Sequence, residues 1–418
     1  MNRRMTLHTF RRIKKMRFDF ETIMDRRGHD AIAVDLPSAE SGQFAAVHRK
    51  EGFDVIPMWV ADMNFAVVPS IQKAMTDRIA HPAFGYFAVR DEYYQAIIDW
   101  QTGRNGVQGL EPKHIGYENG VLGGVLSALA ALSCPGDNIL VHSPTYIGFT
   151  FSMESAGYHI VHSPLYLDEN NIWRMDYEDM EKKIRENHIH TAIMCNPHNP
   201  SGRVWTKEEL AKAMEIYERN QVYVISDEIW SDILLNGNRH TPTQSVNDYA
   251  REHTAAFYAP SKTFNLAGLI GSYHIIYNDW LRDRILKQSS LSHYNSMNVL
   301  SMHALIGAYS EDGRQWVDEL KEVLSGNINY AVDFIRENLP GVTLAKPEGT
   351  YMLFLDCTEY CRTHNCSVED VLYKGWEYGV YWQDGRPFHG EYSIRMNLAL
   401  PLSRVKEAFE RIREYVLL

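Results

Sequence analysis

A chain of 418 residues exceeds what one hydrophobic core usually organises, so two domains are expected. Its 45% hydrophobic and 23% charged residues are those of a soluble globular protein, without a low-complexity tract. The formal net charge of −11 argues against a nucleic-acid partner, and no apolar run approaches the ~20 residues of a membrane span.

Charge is unevenly placed. Residues 1–17 carry seven Lys/Arg and no acid. Such a stretch has the composition of a transit peptide, but it reads more simply as an exposed arm or as an extension ahead of Met16. No apolar core of secretory length follows it. The five cysteines are odd in number, and Cys357, Cys361 and Cys366 match no usual zinc spacing, so free thiols in a reducing cytoplasm are expected.

Helical periodicity is predicted over 69–78 and 91–102. The run Glu118-Asn119-Gly120-Val121-Leu122-Gly123-Gly124 then opens a helix over 123–132, whose free amides suit a phosphate. A strand over 138–142 ends in Ser143-Pro144-Thr145-Tyr146, which offers an aromatic face for a ring. A strand over 159–163 and a helix over 177–187 precede a strand over 191–195. That strand runs into Asn196-Pro197-His198-Asn199-Pro200, a constrained turn with a side-chain amide donor. After a helix over 207–219, a strand over 223–226 leads into Asp227-Glu228, a carboxylate in need of a cationic partner. Strands over 255–259 and 271–276 flank Ser261-Lys262-Thr263-Phe264-Asn265-Leu266-Ala267-Gly268. There one lysine sits among small, hydroxyl-bearing and apolar residues, and a desolvated lysine amine suits Schiff-base chemistry with an aldehyde cofactor.

Strands separated by helices imply a largely parallel, doubly covered α/β sheet. Beyond it, a helix over 316–338, strands over 342–345, 351–356 and 392–396, and helices over 368–378 and 403–415 read as a smaller α+β domain. The expected division is 1–68 as an arm and part of the small domain, 69–310 as the large domain, and 311–418 as the small C-terminal domain.

In order, Gly120, Tyr146, Asn199, Asp227 and Lys262 resemble the site constellation of fold-type I pyridoxal phosphate (PLP) enzymes of the class I/II aminotransferase family, with likeness over 18–415. Phe18-Asp19-Phe20, Asp25-Arg26-Arg27-Gly28, Pro57-Met58-Trp59-Val60-Ala61-Asp62-Met63, Phe84-Gly85-Tyr86, Asp227-Glu228-Ile229-Trp230, Pro347-Glu348-Gly349-Thr350-Tyr351 and Ile394-Arg395-Met396-Asn397 resemble the cystathionine β-lyase and cystalysin-like (MalY/PatB-type) C–S lyase branch. The resemblance implies an aspartate-aminotransferase-like fold with a mainly parallel seven-stranded sheet. It makes Lys262 the covalent anchor of pyridoxal 5′-phosphate and the carrier of the Cα proton. Asp227 pairs the ring nitrogen, Asn199 bonds the ring oxygen, and Tyr146 stacks on the ring. Gly120, Val121, Leu122 and Ser261 form the phosphate cup, and Tyr86 reaches that phosphate from a second subunit. Arg395, with the Ala61 backbone, takes the substrate carboxylate.

The implied activity is α,β-elimination of cystathionine or a cysteine S-conjugate by a cytoplasmic homodimer, with aminotransfer to a 2-oxo acid as the alternative. Trp230 departs from the His or Tyr usual in relatives, and its indole NH is a candidate donor to the ring oxygen. Asn64 replaces a usual Asp.

Overall fold

The computed structural model describes residues 16–39, 41–291 and 295–417. The basic residues 1–15 lie outside them. The principal sheet has eight strands: β1 (Ile115–Glu118), β2 (Asn138–Ser143), β3 (His159–Leu167), β4 (Trp173–Met175), β5 (Thr191–Cys195), β6 (Tyr223–Asp227), β7 (Thr254–Tyr258) and β8 (Ser272–Ile275). Their order is β1-β8-β7-β6-β5-β2-β3-β4. Neighbours from β7 to β3 run parallel, whereas β8 is antiparallel to both β1 and β7, and β4 turns back on β3. The expected seven strands are therefore joined by an eighth, the three-residue return strand β4 at one edge.

Period-two alternation explains how both faces are covered. Ile139, Val141, Ile193, Cys195 and Ile225 share a core with Val121, Val125, Leu281 and Ile285 of the helices Val121–Leu132 and Asp279–Ser290. The alternate residues Leu140, Ala192, Met194 and Val224 pack with Met180, Ile184, Leu210 and Met214 of the helices Tyr177–Glu186 and Lys207–Arg219. Strands buried on both faces are largely apolar, and here His142, Thr191 and Ser226 are buried polar exceptions.

The helix Glu311–Asn338 starts five residues before its expected first turn, because the Ser310 hydroxyl accepts from the Gly313 amide and caps it. C-terminal to it, β9 (Met352–Asp356), β10 (Gln383–Asp384) and β11 (Ser393–Asn397) form an antiparallel sheet ordered β9-β11-β10. The strand expected over 342–345 reduces to a single bridge from Thr343 to Asp356. Ile56–Pro57 pairs in parallel with Val380–Tyr381, and the Asn64 amide donates to the Ala399 carbonyl. These bonds tie the segment carrying Ala61 to the C-terminal sheet.

Candidate active site

The carboxyl ends of the parallel strands open towards one cavity of about 500 Å³. Tyr146 follows β2, Asn199 follows β5, Asp227 ends β6, and Ser261 and Lys262 follow β7. Val121 and Leu122 begin the helix after β1, with Gly120 at its N-cap at φ 86°, a conformation that favours glycine. Arg395 comes from the middle of β11, and Ala61 and Trp230 complete the wall. Residues nearly 340 positions apart in the chain thus share one cavity.

Lys262 Nζ donates to the Ala61 carbonyl at 2.9 Å, and the Tyr351 hydroxyl donates to the same oxygen at 3.1 Å. Burial, together with the nearby Arg395 charge, pushes the lysine amine down to about 8, against the opposing pull of Asp62 and Asp227. Burial pushes the Asp227 carboxyl up to about 7, although the Ile229 amide donates to it at 3.0 Å and Lys262 favours its ionised form. A depressed lysine and an elevated carboxylate in one cleft mark a functional site.

Arg395 is held on several sides. It donates to Asn199 Oδ1 at 3.2 Å, to the Trp59 carbonyl at 3.3 Å and to Gln383 Oε1, its direct register partner across β10–β11. The guanidinium carbon lies 4.5 Å from the Phe388 ring centroid. Burial lowers its pKa to about 10, still fully cationic near neutrality. With Asn199 Oδ1 accepting from Arg395, the Asn199 Nδ2 is left as that residue's donor towards a ligand.

Tyr146 lies against Phe149 edge-on, with centroids 5.4 Å apart. A Cβ at Gly148 would stand 2.4 Å from Tyr146 Cε1, so the ring's position requires glycine there. Trp230 is buried, its ring meeting Tyr351 edge-to-face at 4.7 Å and passing 5.8 Å from Lys262 Nζ. Behind Asp227, Glu228 accepts from His240 Nε2 and the Tyr258 hydroxyl at 2.7 Å each and from the Thr243 amide at 2.9 Å.

Of the expected residues, Gly120 stands just outside the cavity lining, next to Val121, and Tyr86 stands apart. It is fully exposed and does not line this cavity. Sequence reasoning missed Gln383, Phe388, Trp59, Phe151 and Gly148, which do. Gln383 and Phe388 carry no motif, and only the strand register reveals that Gln383 faces Arg395.

Residues 54–412 match the family model for aminotransferases of class I and II. The chain belongs to this family. Among family members of known sequence, it is 35% identical over 363 residues to cystathionine beta-lyase PatB of Bacillus subtilis (strain 168), covering 86% of this chain and 92% of that one. Cystalysin from Treponema denticola, whose crystal structure contains pyridoxal 5′-phosphate, superimposes with a TM-score of 0.87 at 28% identity, over 96% of this chain and 98% of the other. The PLP-bound C–S lyase from Staphylococcus hominis superimposes with a TM-score of 0.85 at 29% identity, over 96% and 98%.

The residues present fit such a cofactor. An amine of lowered pKa can bond an aldehyde, and a buried carboxylate of raised pKa requires a cation such as a protonated ring nitrogen. The Tyr146 face and the helix start at Val121 supply a ring platform and phosphate donors.

Proposed function

We propose that this chain is a pyridoxal 5′-phosphate-dependent C–S β-lyase that converts cystathionine or a cysteine S-conjugate and water into thiol, pyruvate and ammonia. The observation that carries the reading is the union of Lys262, Asp227 and Arg395 in one cavity of a chain 35% identical to a cystathionine beta-lyase. Lys262 anchors the cofactor, Asp227 holds its ring nitrogen, Asn199 bonds its ring oxygen with Trp230 alongside, and Tyr146 carries its ring. Gly120, Val121, Leu122 and Ser261 take its phosphate. When bound, the cofactor supplies an aldehyde carbon for the substrate amine and a protonated ring that accepts electron density.

Arg395 takes the substrate carboxylate through its two-donor fork, trading the Gln383 oxygen for a charged acceptor. This orients the substrate with Cα towards Lys262. The freed Lys262 amine, pulled towards neutral pKa by its surroundings, accepts the Cα proton at Nζ. The C–S electron pair departs on sulfur as thiolate, and the Lys262 ammonium formed by taking the Cα proton can supply a proton to it. Ala61, whose carbonyl accepts from Lys262, keeps the amine in line with this path.

The proposed protein is a cytoplasmic homodimer, with a large cofactor-holding domain over 69–310 and a smaller domain completed by the N-terminal segment. In support, the segment 81–88 lies exposed without regular structure and leaves Phe84, Tyr86 and Phe87 as apolar surface that a second copy would cover. The described cysteines are free thiols.

The deciding experiment incubates purified holoenzyme with a panel of cysteine S-conjugates, with and without 2-oxo acids. Sustained pyruvate release without an added acceptor is expected. Turnover only when a 2-oxo acid is supplied would instead establish the aminotransferase alternative.

A further inference from the structure

The segment 58–64 presents the Ala61 carbonyl that accepts from Lys262, yet it belongs to no helix or strand. Side chains on two other elements hold its backbone instead. From the end of β11, Asn397 Nδ2 donates to the Val60 carbonyl at 2.7 Å and to the Asp62 carbonyl at 2.6 Å. From just beyond the turn that carries Lys262, Asn265 Oδ1 accepts from the Met63 amide at 3.0 Å, and Asn265 Nδ2 donates to the Met63 carbonyl at 2.9 Å. One carboxamide thus engages both backbone groups of one residue. Asn265 has φ 57°, a left-handed conformation that asparagine adopts more readily than most residues, and the Leu266 amide closes the turn on the Ser261 carbonyl at 3.0 Å.

We propose that Asn265 is a positioning residue for the Lys262 amine, a role whose kinetic consequences rest on the lyase reading above. The contacts form a closed ring within one chain. It runs from Lys262 along the backbone to Asn265, across two hydrogen bonds to Met63, back along the backbone to Ala61, and across the Ala61 carbonyl to Lys262 Nζ. The ring fixes where the free amine rests, and proton transfer from Cα depends on that placement, an error of about 1 Å costing about a hundredfold in rate. Asn397 holds the other end of the segment, next to Trp59, whose carbonyl accepts from Arg395. Loss of the Asn265 carboxamide therefore falls on the amine and spares the carboxylate clamp.

The test uses Asn265→Gly, which keeps the left-handed backbone accessible and removes both bonds to Met63. In pyruvate release by holoenzyme from cysteine S-conjugates, kcat should fall about tenfold or more while KM moves less than about threefold. A second readout needs no substrate: the rate at which the cofactor-free chain captures pyridoxal 5′-phosphate covalently, followed by absorbance, should slow about threefold or more. Ile285→Val, a core exchange in the helix Asp279–Ser290 that also lowers stability, should change neither quantity. Should Asn265→Gly fail to fold, Asn265→Asp keeps the bond from the Met63 amide and sets an acceptor against the Met63 carbonyl, and the same loss of kcat is expected. An unchanged kcat and capture rate, a loss confined to KM, or equal losses in Ile285→Val would overturn the positioning role while leaving the lyase reading intact. Pyruvate from neither wild type nor variant would refute the lyase reading, and the capture rate would then decide the role of Asn265 by itself.

Discussion

Asp227 permits a test of site electrostatics that needs no substrate. In the cofactor-free protein its carboxyl titrates at about 7, against an ordinary value of 3.8, and burial is the main cause. Because the folded pKa is raised, the folded chain binds the proton more tightly than the unfolded chain. The stabilisation is fully present below about pH 4 and is lost as pH rises towards 7. Each unit is worth about 1.4 kcal/mol, so the loss from about pH 5 to about pH 7 is about 3 kcal/mol. Other buried groups oppose it. His142, His162 and His198 are pushed down by burial to about 4, 4 and 3, so their contribution grows with pH over part of the same range. The informative quantity is therefore a difference between proteins. Denaturant unfolding of cofactor-free wild type and Asp227→Asn should show the variant gaining about 3 kcal/mol relative to wild type between those pH values. Lys262, lowered to about 8, stays protonated over most of this interval in both states and contributes little. A pH-independent difference would refute the claim that Asp227 is an uncompensated buried carboxyl awaiting a cation.

Further outcomes follow from the same geometry. Arg395→Lys replaces a planar fork by a point charge and loses the bonds to Asn199 and Trp59; kcat/KM should fall about a hundredfold, chiefly through KM, in steady-state assays. Glu228→Gln breaks the buried cluster with His240, Tyr258 and Thr243. Burial raises the Glu228 pKa, but these partners outweigh it and hold the group below its ordinary value, so a loss of about 3 kcal/mol is expected near neutral pH in chemical unfolding. Gly148→Ala forces a methyl against the Tyr146 ring, and titration should show cofactor affinity falling about tenfold with a stability loss of about 1–3 kcal/mol.

Much of this arrangement was legible in the chain itself. β2, β5, β6 and β7 are buried on both faces and therefore read as mainly apolar runs, and the polar groups that end or follow them stand out by contrast. That contrast located Tyr146, Asn199, Asp227 and Lys262. The edge strands were not legible. β1 is Ile-Gly-Tyr-Glu, half covered and interrupted by Gly116, whose hydrogen leaves room for the His274 ring. β4 is three residues long and has only one neighbour. Nor could composition show that β8 runs antiparallel, since strand direction is a property of the pairing.

The site's outer wall was hidden for another reason. Gln383 and Phe388 matter because β10 and the turn after it fold over Arg395, a relation fixed by tertiary register. Arg26 likewise belongs to a quoted motif, yet its ion pair with Asp62 at 2.5 Å and its bond to Asn64 at 3.1 Å emerge only in three dimensions. These bonds brace the segment whose Ala61 carbonyl receives Lys262.

The proposed chemistry depends on one amine, that of Lys262, just beyond the end of β7. Sodium borohydride fixes a lysine–aldehyde adduct as a stable secondary amine, and peptide mapping by mass spectrometry then locates it. The holoenzyme should carry the phosphopyridoxyl mass on the peptide containing Lys262 and on no other lysine. A label elsewhere, or none on a protein that retains its activity, would rule out Lys262 as the anchor.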